Sequence, residues 1–361
     1  MSDVAADILI GAHTLRPFVA GIFEAAGSSR EEAAIVSDHL VEANLKGHDS
    51  HGIIRASKYA DWVATGQLVP NRHVAIVSDL PAILIVEGGF GYGQVIGKEA
   101  MQLGAERAQR NGLCAIGIRN SGHLGRIGAW PEQLAKAGLA SVHFVNTSGF
   151  GILVAPHGGS DRRLSANPIA VGVPVPNGAP IILDIATSVV AEGKIQIARN
   201  RGEQLERGLV IDGSGRPTTD PAAFYSNPPG AIFPFGGHKG SGLSLFCEIL
   251  AGSLTGGGSS HPQNPTAGRL VNNMLSIAFD PKAFPNESFF EDVTRLIGWV
   301  KSSPPIEPGG EVLLPGELEE NTVAKRSVDG IPLDVETVRQ LVECARRLHV
   351  PALAELEVGL V

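Results

Sequence analysis

Residues 82–97 read Ala82-Ile83-Leu84-Ile85-Val86-Glu87-Gly88-Gly89-Phe90-Gly91-Tyr92-Gly93-Gln94-Val95-Ile96-Gly97, and the choice of fold turns on them. The apolar run 82–87 has the character of a buried strand, and a helix pattern follows the glycines from Ile96 onward. A strand, a glycine loop and a helix in that order suggest a dinucleotide fingerprint. The spacing, however, is G-x-G-x-x-x-G, and the acid expected about twenty residues further on is missing after the next strand, 114–118. The doubly wound Rossmann reading is rejected.

Outward from this stretch, short β-rich runs alternate with glycine loops. Strands are expected at 82–87, 114–118, 141–147, 169–173, 181–184 and 275–279, and helices at 96–111, 130–137, 189–199 and 243–254. Segment 202–221 is an excursion with turns at Asp212-Gly213 and Ser214-Gly215. Upstream the period changes to that of helices. Ser29-Arg30-Glu31-Glu32 is a capping box, followed by Ile35, Val36, Leu40 and Ala43 at helical spacing, with Gly47 as the stop. A second helix is expected at 53–65, ended by Gly66. The tail 334–348 places Val338, Leu341, Val342, Ala345 and Leu348 on one helical face. The expected layout is a helical part built from both ends (1–78 and 331–361) flanking a mixed α/β part (79–330).

Composition narrows the partners. The 361 residues suffice for two or three domains. Lys and Arg number 29 against 37 Asp and Glu, a net charge of −8, so no basic face for nucleic acid is advertised. Cys114, Cys247 and Cys344 are too few and scattered for a disulfide framework or a zinc knuckle, and they suit a reducing compartment. The opening MSDVAADILI lacks the basic region and cleavage site of a signal peptide. The uncharged runs 139–160 and 164–183 are broken by prolines and glycines, so they read as strands with turns, not membrane helices. A cytoplasmic protein is expected.

Three motifs carry chemistry. The first is GHDSHGIIRASKY at 47–59. If His51 starts the helix, then His51, Arg55 and Tyr59 share one face. That face offers an imidazole titrating near neutrality, a guanidinium suited to a carboxylate, and a phenol, with Ser50 placed to orient the imidazole. The set suits proton transfer to a substrate bearing an acid group; the plainer reading is a capped helix start with a surface ion pair. His48 and His51 also have half of a metal-site spacing, but no third ligand at zinc-type spacing is evident. The second motif is NSGHLGRIGAW at 120–130, where glycines let backbone approach a ligand and His123 and Arg126 supply a donor and a charge. The third is Gly236-Gly237-His238-Lys239-Gly240-Ser241-Gly242, a glycine loop with a lysine at a helix start. It is an anion-site pattern that is not a Walker loop. Asp184 to Ser188, expected to end a strand and open a helix, offers an acid for a histidine or a ribose hydroxyl, or simply an N-cap.

Taken together, GHDSHGIIRASKY, NSGHLGRIGAW, LSANPIA (164–170), LDIATS (183–188), GRPTTDP (215–221), GHKGSGL (237–243) and VLLPGE (312–317) resemble the type 2 malate/L-lactate dehydrogenase family across essentially the whole chain. The GHDSHG, GRIG and LLPGE forms are similar to its hydroxycarboxylate dehydrogenase branch. The resemblance implies an α/β (α+β) fold that is not Rossmann: a mixed, largely antiparallel sheet for the cofactor, plus a helical domain from both chain ends. It implies NAD or NADP as cofactor, a 2-oxo or 2-hydroxy acid as substrate, and a homodimer. His51 would be the proton donor and acceptor with Ser50 beside it, Arg55 the carboxylate grip, and His123 a neighbour of the reacting centre. Gly125, Arg126, Ile127, Leu183, Asp184, Ile185, Ala186, Thr187, Ser188, His238, Lys239, Leu314, Pro315, Gly316 and Glu317 would contact the dinucleotide. A reductase of cyclic imino acids belongs to the same family and is the alternative. Outside it stand a metal-dependent hydrolase using His48, His51 and His123, and a non-catalytic nucleotide binder.

Overall fold

The computed structural model describes residues 7–351 apart from 177 and 265–267, together with 353 and 356. The remaining residues of the expected terminal part, 1–6 and most of 352–361, lie outside the described residues. Seven strands form the main sheet, in the order Ala75–Leu80, Ile83–Glu87, Leu113–Ser121, Leu270–Phe279, Ala140–Gly149, Pro168–Val173 and Ile181–Ala186. Only Ile83–Glu87 and Leu113–Ser121 run parallel, with Ile83 opposite Ala115; every other junction is antiparallel.

The opening stretch therefore does build one strand–helix–strand unit, with the helix Gly93–Asn111 as its crossover. The unit goes no further, because the next neighbour of Leu113–Ser121 is the antiparallel strand Leu270–Phe279. The sheet is mixed and largely antiparallel.

Strand alternation sets one face against helices. Leu84, Val86, Ile116, Ile118 and Met274 pack on Ile96, Ala100 and Met101 of Gly93–Asn111 and on Trp130 and Leu134 of the helix Ala129–Lys136. Each large aliphatic side chain so buried contributes about 1.5–3 kcal/mol. The same face buries His143, whose ring nitrogens meet Ser276 Oγ at 2.7 Å and Ser141 Oγ at 2.9 Å, while the other face buries Asn146 and Asn273, whose side chains meet at 2.9 Å.

A second cluster joins the two ends of the chain. Helices Ala12–Ala25, Arg30–Leu45, Arg55–Ala64 and Val335–Arg347 pack through Leu15, Ile22, Leu40, Tyr59, Val338 and Leu341. Strand Ile8–Ile10 pairs antiparallel with Ile331–Leu333. Ser29 caps its helix as read from the sequence, its hydroxyl accepting from Glu32 N at 3.2 Å. Tyr92 and Val95 belong to this cluster while Ile96 belongs to the sheet cluster. The first turn of Gly93–Asn111 thus stands on the seam between the two cores.

Three element boundaries differ from expectation with consequences for the site. The helix expected from residue 53 starts at Arg55, and Asp49–His51 forms a separate single 3-10 turn. The strand expected to end at 184 runs on to Ala186, and the following helix starts only at Glu192. The helix expected at 243–254 opens earlier, as His238–Cys247, and continues as a wider π-type turn over Glu248–Ser253. Among the described residues no helix is long and apolar enough to cross a membrane.

Candidate active site

His51 is placed by its turn, not by a helix. Asn44 closes that turn: its Oδ1 accepts from Ile53 N at 2.8 Å and its Nδ2 donates to Asp49 Oδ1 at 2.7 Å. A Cβ at Gly52 would lie 2.1 Å from Asn44 Oδ1, so only glycine admits this clasp. Arg326, from the helix Glu317–Asp329, forks onto both Asp49 oxygens at 2.6 and 3.0 Å. The one-face argument for His51, Arg55 and Tyr59 is thus corrected. Only Arg55 and Tyr59 share a helix, because the backbone at Gly52 is extended (φ −86°, ψ −154°) and separates the 3-10 turn from Arg55.

The three side chains still converge, through His123. The His51 and His123 rings stack with centroids 5.5 Å apart and 15° between planes. Ser50 Oγ lies 3.1 Å from His51 Nδ1, and Arg55 Nε donates to Ser50 O at 2.6 Å. Tyr59 is fully buried and its hydroxyl stands 2.6 Å from His123 Nδ1. Among the described residues no carboxylate pairs with the half-buried Arg55.

The His123 loop is held on both sides. Asn272 Oδ1 accepts from Leu124 N at 2.9 Å and Asn273 Oδ1 from Asn120 N at 2.8 Å. Asn120 has φ +52°, a left-handed conformation that asparagine tolerates. The misleading glycines of the opening stretch serve this loop. A Cβ at Gly93 would sit 2.3 Å from His123 O, and Gly122 N donates to Gly91 O at 2.9 Å.

Burial makes the site neutral. It pushes His51 down to about 3, with Arg55 and then His48 adding to the effect, and it pushes His123 well below its ordinary value, again with Arg55 contributing. His39 and His143 also fall to about 3, chiefly through burial. A sign follows for stability, since the unfolded chain binds these protons near pH 6.5 while the folded chain refuses them. Stability is fully present above about pH 6.5 and is lost as the pH falls toward about 3, by ~1.4 kcal/mol per pH unit for His143 alone. Urea midpoints are expected to drop between about pH 7 and 5; a flat profile contradicts this account.

A second group of expected residues meets in a cavity of about 260 Å³, lined by Lys46, Arg126, Glu132, Asp184, Gly316 and Glu319 among others. Asp184 Oδ2 accepts from Gly128 N at 2.6 Å, and Ile182 N donates to Pro315 O at 3.1 Å. The 125–128 loop, the last strand and the 314–317 turn are thereby tied together. Leu314 N donates to Glu317 Oε2 at 2.8 Å, closing that turn. Burial raises the Asp184 carboxyl above its usual range, against the pull of His48, the Gly128 N–H and Arg126. Arg126 is engaged by Glu132 at 2.7 Å, and Glu132 also meets Lys46 at 2.8 Å. Strand alternation sends Leu183 and Ile185 to the face opposite Ile182 and Asp184. Ile127 is buried in the sheet core, and Ala186 is exposed.

Other expected residues stand elsewhere. His238 and Lys239 are exposed at the start of their helix, with the His238 ring against His157 at 5.9 Å and no side-chain hydrogen bond to the cavity. They connect to it only through backbone: Phe235 N donates to Thr187 O at 3.0 Å, and Ser188 bridges to Pro234. Asp184 to Ser188 opens no helix. His48 turns to Glu319 Oε1 at 3.3 Å while His51 turns to His123, so the two do not share a metal-binding geometry. Sequence reasoning missed Lys46, Glu132 and Glu319, which lie outside every quoted motif, and it read Gln94 only as part of the glycine loop.

The cavity fits a nucleotide in its donor set. Carboxylates suit ribose hydroxyls, and cations suit phosphate. Gly128 keeps the wall open, since a Cβ there would lie 2.5 Å from Arg126 Nη1. Thr187, close after Asp184 in sequence, is fully buried and its hydroxyl has no partner among the described residues.

The sequence model described as malate/L-lactate dehydrogenase matches residues 10–342. Hydroxycarboxylate dehydrogenase B of Escherichia coli (strain K12) is 40% identical over 344 residues, covering 94% of each chain. The malate dehydrogenase structure from Pyrococcus horikoshii OT3 superposes with TM-score 0.85 at 31% identity, covering 96% of this chain and 97% of that one. The delta1-piperideine-2-carboxylate reductase structure from Pseudomonas syringae gives 0.82 at 30%, covering 93% and 99%. With that agreement in sequence and fold, the chain belongs to the malate/L-lactate dehydrogenase family and is a nicotinamide-dinucleotide-dependent oxidoreductase acting on hydroxy acids.

Proposed function

We propose that the protein interconverts 2-oxo acids and 2-hydroxy acids at C2, with His51 exchanging the proton on the substrate oxygen and Arg55 gripping the carboxylate. One observation carries the reading: a half-buried guanidinium with no carboxylate partner among the described residues stands beside two stacked imidazoles. The bound dinucleotide supplies or takes up the hydride. Arg55 fixes the acid so that its C2 oxygen meets His51, which is a positioning effect. His123, stacked on His51, borders the same oxygen, and Ser50 orients the His51 ring through Nδ1.

The depressed pKa gives His51 a direction. In the empty site it is neutral and ready to accept the alcohol proton. A substrate carboxylate neutralises Arg55, the second cause of the depression after burial. Binding the acid therefore favours the protonated ring that reduction requires. The cavity also bears on coenzyme choice. Arg126 is committed to Glu132, and Asp184, Glu319 and Glu320 outnumber the remaining cations Lys46 and Lys136. A 2′-phosphate there meets repulsion, so NADH is the proposed coenzyme.

A panel of 2-oxo acids and cyclic imino carboxylates, run with NADH and NADPH, tests this reading. Fastest turnover of a 2-oxo acid with NADH is expected. The fold shared with the piperideine-2-carboxylate reductase keeps the second substrate class in view; faster turnover of the cyclic imine would replace the first reading with it.

A further inference from the structure

Gln94 belongs to the glycine stretch that suggested a nucleotide loop, yet it faces the histidines. It sits in the first turn of Gly93–Asn111, on the seam between the two cores, and is 1% exposed. Its Nε2 donates to Tyr59 Oη at 3.2 Å, and Tyr59 Oη stands 2.6 Å from His123 Nδ1. A tyrosine hydroxyl has one proton to give. With Gln94 occupying the oxygen as a donor, that proton goes to His123 Nδ1.

We propose that Gln94 is a positioning residue that acts through Tyr59 to hold His123 as the Nε2–H tautomer, making it a hydrogen-bond donor toward the substrate oxygen. The inference rests on the proposed function only in placing His123 at that oxygen.

Three observations support the polarity of the chain. Gln94 Oε1 is buried without a partner. The opposite amide orientation would strand an NH2 group instead, and a buried donor without a partner is the rarer and less tolerated case. Tyr59 also keeps its proton, because burial raises its pKa to about 12. Finally, the spacing is enforced sterically. A Cβ at Gly93 would lie 2.3 Å from His123 O, and one at Gly125 would lie 3.1 Å from Gln94 Nε2, so both glycines allow helix and loop to close on the relay.

The division of labour between the stacked rings follows. His51 has Ser50 on Nδ1 and exchanges the proton. His123, with Nδ1 filled by Tyr59, donates a fixed hydrogen bond and does not leave its tautomer. Neither Gln94 nor Tyr59 touches the substrate in this arrangement.

The test is nitrogen-15 NMR of histidine-labelled enzyme without substrate, with the His123 signals assigned by their loss in His123→Asn. The expected wild-type spectrum shows a neutral His123 ring with a protonated Nε2 and an unprotonated Nδ1. Tyr59→Phe and Gln94→Met are expected to mix the two tautomers. In turnover, each is expected to lower kcat about tenfold with KM nearly unchanged. The double variant should be no worse than Tyr59→Phe alone, because both act along one path. A wild-type ring protonated at Nδ1, or losses that multiply in the double variant, overturns the proposal. Because the tautomer is read in the resting enzyme, its outcome stands apart from whether 2-oxo acids prove to be the substrates.

Discussion

His51→Ala is expected to lower kcat by about 10²–10⁴-fold, the usual worth of positioned acid–base catalysis, while circular dichroism and thermal unfolding stay close to wild type. The size of the loss follows from the surroundings. On the tautomer proposed above, His123 holds Nδ1 on the Tyr59 hydroxyl and offers only an Nε2–H, so it is not expected to take over the proton. The fold survives because the turn Asp49–His51 is held by Asn44 and Arg326, which grip Asp49 and the Ile53 N–H, not the imidazole. A variant turning over within a few-fold of wild type would remove His51 from the chemistry.

Arg55→Met is the second large effect. Truncating one member of a desolvated, hydrogen-bonded charge pair costs about 2–5 kcal/mol, which corresponds to a loss in kcat/KM of roughly 30- to 4,000-fold, expected mainly in KM. A lysine at the same place should recover little, because it lacks the planar fork and the Nε–H that Arg55 gives to Ser50 O. The variant also lifts one of the causes that depress His51. The limb of the kcat pH profile reporting the His51 proton should move upward. Unchanged KM for 2-oxo acids together with an unmoved limb would sink the carboxylate role.

The legible parts of the molecule were those in which local sequence and tertiary structure agree. Ser29 announced a cap and became one, and the residues named for the tail helix bury Val338, Leu341, Val342 and Ala345. The segments around 82–87, 114–118 and 169–173 became strands because their alternation feeds one packed face. The errors fall where a distant side chain captures a backbone group. Helical spacing predicted that His51 opens a helix, but Gly52, extended and pressed against the Asn44 side chain, breaks the run and leaves a separate 3-10 turn. The glycines at 91 and 93 fitted a nucleotide loop loosely; their actual neighbours are Gly122 and the His123 carbonyl. Lys46, Glu132 and Glu319 met the cavity without any motif, since ion pairs spanning up to 274 residues leave no periodic trace. The helix Phe289–Lys301, which buries none of its residues, was not expected from the sequence at all.

The fork from Arg326 to Asp49 bridges 277 positions along the chain. Chains are made from the first residue onward, and their early regions begin to fold while later ones are still in the ribosome. The segment bearing His51 thus emerges early but waits, without its clamp, until residue 326 has been translated. A product ending before residue 326 would have its main-sheet strands complete while the Asp49 turn still lacked the Arg326 fork.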